Sequence, residues 1–224
     1  MKYKVIITGS TGMVGKGVLL ACLESDAILE VLVINRSAID ISNPKLKEVL
    51  LKDFTKTDSI KEQLKGYDAC FHCMGVSSSG LNEANYTILT FEVTKSLVDT
   101  LLEINPKMTF NYVSGTGTDT SEKGRSMWAR VKGKTENYIL NKGFGASYMF
   151  RPGFIVPEKG IKSKTKLYRF FYAILKPFFG LIVKSKNVTT TTKLGIAMIA
   201  SLNKKYEKTY LENQEINALA EMNS

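Results

Sequence analysis

The sequence predicts an α/β fold built on a doubly wound parallel sheet, with a small, mostly helical C-terminal cap. Two observations predict it. Up to about residue 155, short apolar β-rich runs alternate with longer amphipathic ones, which is the pattern of a parallel sheet with helices on both faces. Several of the short runs are also apolar at nearly every position, as strands covered on both sides require. The expected organisation is one domain over 1–224, with a core over 1–155 and the cap over 156–224.

The candidate strands are YKVIIT (3–8), EVLVIN (30–35), EVLLKD (48–53), DACFHCMG (68–75), MTFNYVS (108–114) and ASYMFRP (146–152). The helical runs between them are 13–24, 85–104 and 127–142, with Leu97, Leu101 and Ile104 falling on one face of the second. Beyond 156, the apolar run 167–183 contains Arg169, Lys176 and Pro177. It falls short of the roughly 20 mostly apolar residues that a membrane span needs, so it reads as an amphipathic element. The threonines of NVTTTTKLGIAMIASL offer caps for another helix. KTYLENQEINALAEM reads as a short strand and a last helix capped near Asn213.

Composition excludes several classes. A chain of 224 residues, 44% hydrophobic and 23% charged, is neither disordered nor fibrous. Three cysteines (Cys22, Cys70, Cys73) in apolar runs favour reduced thiols and a cytoplasmic location over a disulfide framework. The start, MKYKVIITGS, reads as a buried strand rather than a leader. CFHC (70–73) invites a metal or redox reading, but residues i and i+3 of a strand point to opposite faces. Packing is therefore the expected role of Cys70 and Cys73, and no metal is expected.

The net charge of +10 is concentrated. Eight basic residues and no acidic one lie between Lys159 and Lys186, leaving +2 on the rest of the chain. Six aromatics, Tyr168, Phe170, Phe171, Tyr172, Phe178 and Phe179, accompany them. That mixture suits an anionic membrane surface, bound peripherally, or an amphiphilic anionic ligand; the bland alternative is a cap covering the open end of the sheet. No nucleic-acid motif accompanies the charge. Co-sedimentation with vesicles is expected to rise with anionic lipid content, and sedimentation independent of that content refutes the membrane reading.

The chemistry sits in VIITGSTGMVGKG. Gly9, Gly12 and Gly15 follow the first strand and open a helix. Gly9 permits the tight turn, Gly12 lets backbone approach a pyrophosphate, and Gly15 lets the helix pack close to the strand. The diphosphate then rests on backbone N–H groups at the helix N-terminus. An NAD-preferring site places an acidic residue about 20 residues beyond the last glycine, where this chain has Asn35, Arg36 and Ser37. A neutral side chain followed by a guanidinium fits a 2′-phosphate, so NADP(H) is the expected cofactor and NAD(H) the alternative.

With TGSTGMVG at the start, YVSG on the fifth strand and a lysine on the following helix, the chain resembles the short-chain dehydrogenase/reductase superfamily, whose fold is the NAD(P)-binding Rossmann fold. It looks most like the atypical, extended branch of Tat-interacting oxidoreductase-like and bacterial nucleoside-diphosphate-sugar epimerase-like proteins. The resemblance implies that Gly9, Ser10, Thr11, Gly12, Met13, Val14 and Gly15 line the diphosphate and that Arg36 reads the 2′-phosphate. Asp53 and Phe54 would flank adenine, and Met74 and Gly75 would pass the ribose. Arg151, Pro152, Gly153 and Phe154 would approach the nicotinamide side. Ser114 matches the serine that hydrogen-bonds a substrate oxygen, and Lys132 the lysine that holds the nicotinamide ribose. The long helices 85–104 and 127–142 are faces on which relatives dimerise, so the chain is expected to be a monomer or a homodimer.

One position departs from the pattern. The family's tyrosine belongs four residues before the lysine, and here that residue is Trp128. An indole N–H only donates and does not titrate in a useful range. Tyr112, Tyr86, Ser126, Thr116 and Glu136 are the candidate replacements, with Glu136 also placed to pair with Lys132 along the helix. The leading expectation is an NADP(H)-dependent oxidoreductase acting on a small carbonyl or alcohol. The alternatives are a non-catalytic NADP(H) sensor of the NmrA-like kind and an epimerase-like enzyme.

Overall fold

Val5, Ile6 and Ile7 place β-branched side chains on alternate faces of the first strand, and the two hydrophobic cores divide along that alternation. The computed structural model describes residues 2–161, 179, 185–203 and 206–222. Strands β1 (Tyr3–Thr8), β2 (Ile28–Asn35), β3 (Leu46–Leu50), β4 (Ala69–His72), β5 (Thr109–Val113), β6 (Ala146–Phe150) and β9 (Tyr210–Leu211) form one sheet in the order β3-β2-β1-β4-β5-β6-β9. Every pairing is parallel, with Val5 opposite Val31 on one side and Ala69 on the other. β7 (Phe154–Val156) and β8 (Val188–Thr190) make a separate two-stranded parallel sheet.

Val5 and Ile7 point into a core shared with α1 (Met13–Glu24), α5 (Thr191–Asn203) and α6 (Asn213–Glu221). Ile6 points into a second core, closed by a 3₁₀ segment (Phe54–Leu64), α3 (Val93–Ile104) and α4 (Met127–Leu140). Helices therefore cover both faces, as expected of a doubly wound sheet. The order reverses between β1 and β4, and a crevice opens there beyond the carboxyl ends of the strands.

Among the described residues of the C-terminal part, two helices carry more than half of the chain, and they are knit into the core. β9 adds a strand beside β6, with Leu211 opposite Phe150. Helix α5 lies on α1 at very short range: a Cβ on Gly17 would sit 2.5 Å from the Thr191 Cβ, and one on Gly195 would sit 2.5 Å from the Ala21 Cβ. Glycine at both positions lets the two helices touch along their backbones.

Several details differ from the sequence expectations. The 85–104 helix begins earlier, as α2 (Glu83–Thr87), capped by the Asn82 side chain accepting from the Asn85 N–H at 2.9 Å. It reaches α3 through a π-helical turn (Ile88–Glu92). The expected strand 48–53 is the shorter β3, because Asp53 caps the 3₁₀ segment instead of continuing the strand. Glu212 is the N-cap of the last helix, in a reciprocal capping box with Glu215. Cys70 and Cys73 pack on opposite cores, as their spacing predicts. The expected amphipathic element at 167–183, with most of the basic cluster, lies outside the described residues. Of that cluster's flanks, Lys159 pairs with Glu24.

Candidate functional site

Gly9 leaves β1 with φ +74°, and a Cβ there would lie 2.7 Å from the Met74 backbone. The chain passes so close to the end of β4 that only glycine fits. The Gly12 N–H donates to the Gly9 carbonyl at 2.9 Å, closing the turn. A Cβ on Gly15 would meet that same carbonyl oxygen at 2.2 Å, so the first turn of α1 rests directly on the loop. Gly12 is the N-cap, no side chain caps the helix, and its first turn carries no acidic residue. An α-helix start of this kind presents uncommitted N–H groups and the positive end of its dipole to an anion.

A cleft of about 170 Å³ opens beside this turn, lined by Gly9, Thr11, Gly12, Ile34, Asn35, Arg36, Phe54, Cys73, Met74 and Gly75. The structure thus gathers eight of the nineteen expected cofactor residues around one crevice. Met13 and Val14 open α1 and pack against the core. Arg36 and Ser37 are exposed just past β2.

Three of the expected side chains do something else. The Ser10 hydroxyl is buried and donates to Asn35 Oδ1 at 2.9 Å, while Asn35 Nδ2 donates to Glu48 Oε1 at 3.1 Å. Ser10 and Asn35 therefore brace the loop against β2 and β3, and the contribution of Ser10 to an anion site comes from backbone. The Asp53 carboxylate accepts from the Thr55 N–H at 3.0 Å and from its hydroxyl at 2.6 Å. Those bonds hold it below the usual carboxylate range and turn it to capping, leaving Phe54 to line the cleft.

Lys132 reaches from α4 into the space between the ends of β4 and β5. Its Nζ donates to the Val113 carbonyl at 3.2 Å, lies 5.1 Å from the centre of the Tyr112 ring, and would be 3.7 Å from a Cβ on Gly75. Burial lowers the Lys132 pKa to about 8, against the raising influence of Glu136. His72, beneath it, is fully buried. Thr94 donates its single hydroxyl proton to the Thr90 carbonyl at 2.6 Å, so it accepts from His72 Nε2–H at 2.9 Å. His72 Nδ1 then accepts from the Thr8 hydroxyl at 2.6 Å. Burial, with the Lys132 charge adding to it, lowers His72 to about 3. The imidazole is neutral, with one tautomer fixed, and its packing against Tyr112 and Phe110 makes it a core residue.

The pairing expected between Glu136 and Lys132 is not the one formed. Glu136 is fully buried and takes Arg151 as its partner, with Arg151 Nε donating to Oε1 at 3.0 Å and Nη2 to Oε2. The Ser114 hydroxyl donates to the same Oε1 at 2.5 Å. Arg151 is further pinned over the Tyr210 ring, 4.3 Å from its centre. Its guanidinium is thereby committed to Glu136. Pro152 accepts from the Thr116 N–H at 3.1 Å, and the Gly153 N–H donates to Asn213 Oδ1 at 3.1 Å, so both anchor the end of β6 to neighbouring loops. Phe154 begins β7.

Glu136 and Arg151 are the residues that sequence reading underweighted. The available signal was a carboxylate one turn after Lys132 on the buried face of α4, where an unpaired charge is not tolerated. Among the tyrosines, Tyr112 is fully buried and its hydroxyl has no hydrogen-bond partner among the described residues. Burial, reinforced by nearby Tyr86 and Glu136, pushes it well above the ordinary phenol range. Tyr86 is buried with Phe91 and Val131, and burial raises it too. Neither phenol stands at the cleft. Thr116 is committed to the Arg151 carbonyl at 2.9 Å and to Glu212 at 2.7 Å. Trp128 is half-buried at the edge of the Tyr86 cluster, and its ring lies 3.7 Å from where Gly117 would carry a Cβ.

The sequence profile of the NAD dependent epimerase/dehydratase family matches residues 5–145. The chain belongs to that family. It is accordingly an extended-type short-chain dehydrogenase/reductase with an NAD(P)-binding Rossmann core, of oxidoreductase- or epimerase-like kind. Its relatives include Protein FMP52, mitochondrial, of Candida albicans, 26% identical over 157 residues that cover 68% of this chain and 67% of that protein. The protein of the same name from Debaryomyces hansenii is 28% identical over 160 residues, covering 68% and 67%. The enzyme WbmH of Bordetella bronchiseptica, solved in complex with NAD+, superposes with a TM-score of 0.71 at 16% identity, over 95% of this chain and 75% of that one. UDP-N-acetylglucosamine 4-epimerase from Methanobrevibacter ruminantium gives 0.69 at 17% identity, over 95% and 76%. These structural likenesses establish the fold. Among the described residues no helix is long and apolar enough to cross a membrane, and no cluster of metal-ligating side chains is found.

Proposed function

We propose that this chain is an NADP(H)-dependent oxidoreductase acting on a small alcohol or carbonyl compound, with NAD(H) as the weaker ligand. The observation that carries the cofactor is the uncapped N-terminus of α1 opening into the same cleft as Arg36. A 2′-phosphate at the end of β2 would meet the Arg36 guanidinium, and the residue in the place where NAD-preferring sites carry a carboxylate is Asn35, whose amide holds Glu48. Lys132 would hold the nicotinamide ribose from between β4 and β5, and Ser114 would meet the substrate oxygen. When bound, the dinucleotide supplies hydride chemistry; the chain supplies orientation, a dry floor of Tyr112 and His72, and a route for the proton. The three free thiols support a reducing compartment such as the cytoplasm.

Titration calorimetry tests the cofactor. Wild type is expected to bind NADP+ at least tenfold more tightly than NAD+, and Arg36→Ala is expected to weaken NADP+ by about tenfold or more while changing NAD+ by less than threefold. Comparable affinities for the two in wild type overturn the preference. A second reading, a sensor that binds NADP(H) without turnover, is favoured by one observation: Trp128 occupies the position of the family's phenol, and among the described residues no tyrosine lines the cleft. Tight cofactor binding without consumption of cofactor across alcohols and carbonyl compounds supports the sensor. Epimerase chemistry meets the same replacement of the family's phenol by Trp128.

A further inference from the structure

Among the described residues no phenol lines the cleft, yet a buried carboxylate lies one hydrogen bond away from Ser114. Ser114 is half-buried at the end of β5 and has one hydroxyl proton, directed at Glu136 Oε1 at 2.5 Å. Its other neighbour, the Phe150 carbonyl, lies at 3.4 Å and is the weaker acceptor. With that proton committed, the Ser114 oxygen offers only lone pairs outward. It can accept from a hydroxyl but cannot at the same time donate to a carbonyl. The resemblance implied only that Ser114 hydrogen-bonds a substrate oxygen; this arrangement makes Ser114 the acceptor in that bond.

Resting on the reading of this crevice as an oxidoreductase site, we propose that Ser114 and Glu136 form a proton-accepting pair that receives the hydroxyl proton of an alcohol substrate. The substrate O–H bond breaks, its proton bonds to Ser114 Oγ, and the original Ser114 proton passes to Glu136 Oε1. The substrate oxygen keeps the electron pair of its O–H bond. Oxidation of the carbon, in which hydrogen leaves with its own electron pair, is the share of the oxidised dinucleotide.

Two further features fit this role. Arg151 forks onto both Glu136 oxygens and is itself fixed over Tyr210, so the carboxyl group is held in place against a guanidinium before substrate arrives. Lys132 stands one turn away on the same helix with its ammonium on the Val113 carbonyl, which places a positive charge beside an oxygen that becomes negative. Ser114 is the residue that touches substrate, and Glu136 is a positioning residue that acts through it.

Fluorine NMR with 2,2,2-trifluoroethanol as the probe tests the pair on the full chain saturated with oxidised dinucleotide. Its methyl ether, 2,2,2-trifluoroethyl methyl ether, carries the same fluorines without a hydroxyl proton. Wild type is expected to give a saturable shift with the alcohol and none with the ether. Ser114→Ala and Glu136→Gln are each expected to weaken alcohol binding at least tenfold while dinucleotide affinity changes less than threefold. Glu136→Gln keeps size and one acceptor oxygen, and circular dichroism confirms that it folds. If it does not fold, Ser114→Ala, at a half-buried position with no charge to strand, decides alone. Equal binding of alcohol and ether, alcohol affinity within twofold of wild type in Ser114→Ala, or no saturable alcohol binding by a wild type that still binds dinucleotide each overturns the pair. Failure of wild type to bind any dinucleotide overturns the cofactor reading, and the pair falls with it.

Discussion

Valine at position 15 is expected to abolish dinucleotide binding, weakening it more than a hundredfold by calorimetry. The cause is steric and local. A Cβ there would lie 2.2 Å from the Gly9 carbonyl oxygen, and that oxygen also accepts the Gly12 N–H that closes the turn. Neither partner is the free end of a side chain, so the helix start must lift from the loop. Lifting separates the N–H groups from the concave surface that a diphosphate needs. Overpacking of this kind costs about 1–3 kcal/mol. In a chain of this size that lowers the melting temperature by roughly 2–4 °C per kcal/mol, a modest loss beside the loss of binding. Retention of wild-type affinity in a folded Gly15→Val protein would show that the loop does not hold the ligand.

Removing the guanidinium of Arg151 is expected to cost more stability than Gly15→Val, Arg36→Ala or Ser114→Ala. In Arg151→Met, Glu136 stays fully buried and, among the described residues, is left with the Ser114 hydroxyl as its side-chain partner. Breaking one side of a buried pair costs about 3–5 kcal/mol, whereas replacing both partners by apolar groups of similar volume is often neutral. Denaturant unfolding is therefore expected to show Arg151→Met destabilised by about 3 kcal/mol, and Arg151→Met with Glu136→Met recovering most of it. A single variant as stable as wild type, or a double variant worse than the single, contradicts this account. The same pair of proteins separates structure from chemistry, since the double variant restores the fold while removing the carboxylate that Ser114 addresses.

The features legible in the sequence are those whose cause is local. Strand β1 follows from a run of β-branched residues, and the glycine loop follows from spacing that leaves little other use. Helix α1 was legible to the residue for the same reason. What escaped was made by residues distant along the chain. Glu136 meets Ser114 across 22 positions and Arg151 across 15, and its helical neighbour Lys132 is the wrong partner. A spacing rule finds pairs on one helix; it cannot rank them against a guanidinium arriving from the next strand. Ser10 and Asn35 read as ligands because their positions are right, while their side chains are consumed in bracing each other. His72 reads as a lone histidine, and only the placement of Thr8 and Thr94 on two other elements shows why it is neutral. Trp128 was legible as a departure and remains the residue on which the reaction turns.

The contact between α1 and α5 also governs how the protein comes to exist. Gly17 and Gly195 meet at backbone range, but 178 positions of chain separate them. At roughly 5–20 residues per second of synthesis, the first helix waits about 10–35 s for the partner that covers it. Throughout that interval Val18, Ala21 and Cys22, which are buried in the finished protein, have no α5 to lie against. The nascent chain therefore carries a sticky helix almost from its first moments to its last, and holding chaperones on the ribosome have a defined stretch of this protein to protect.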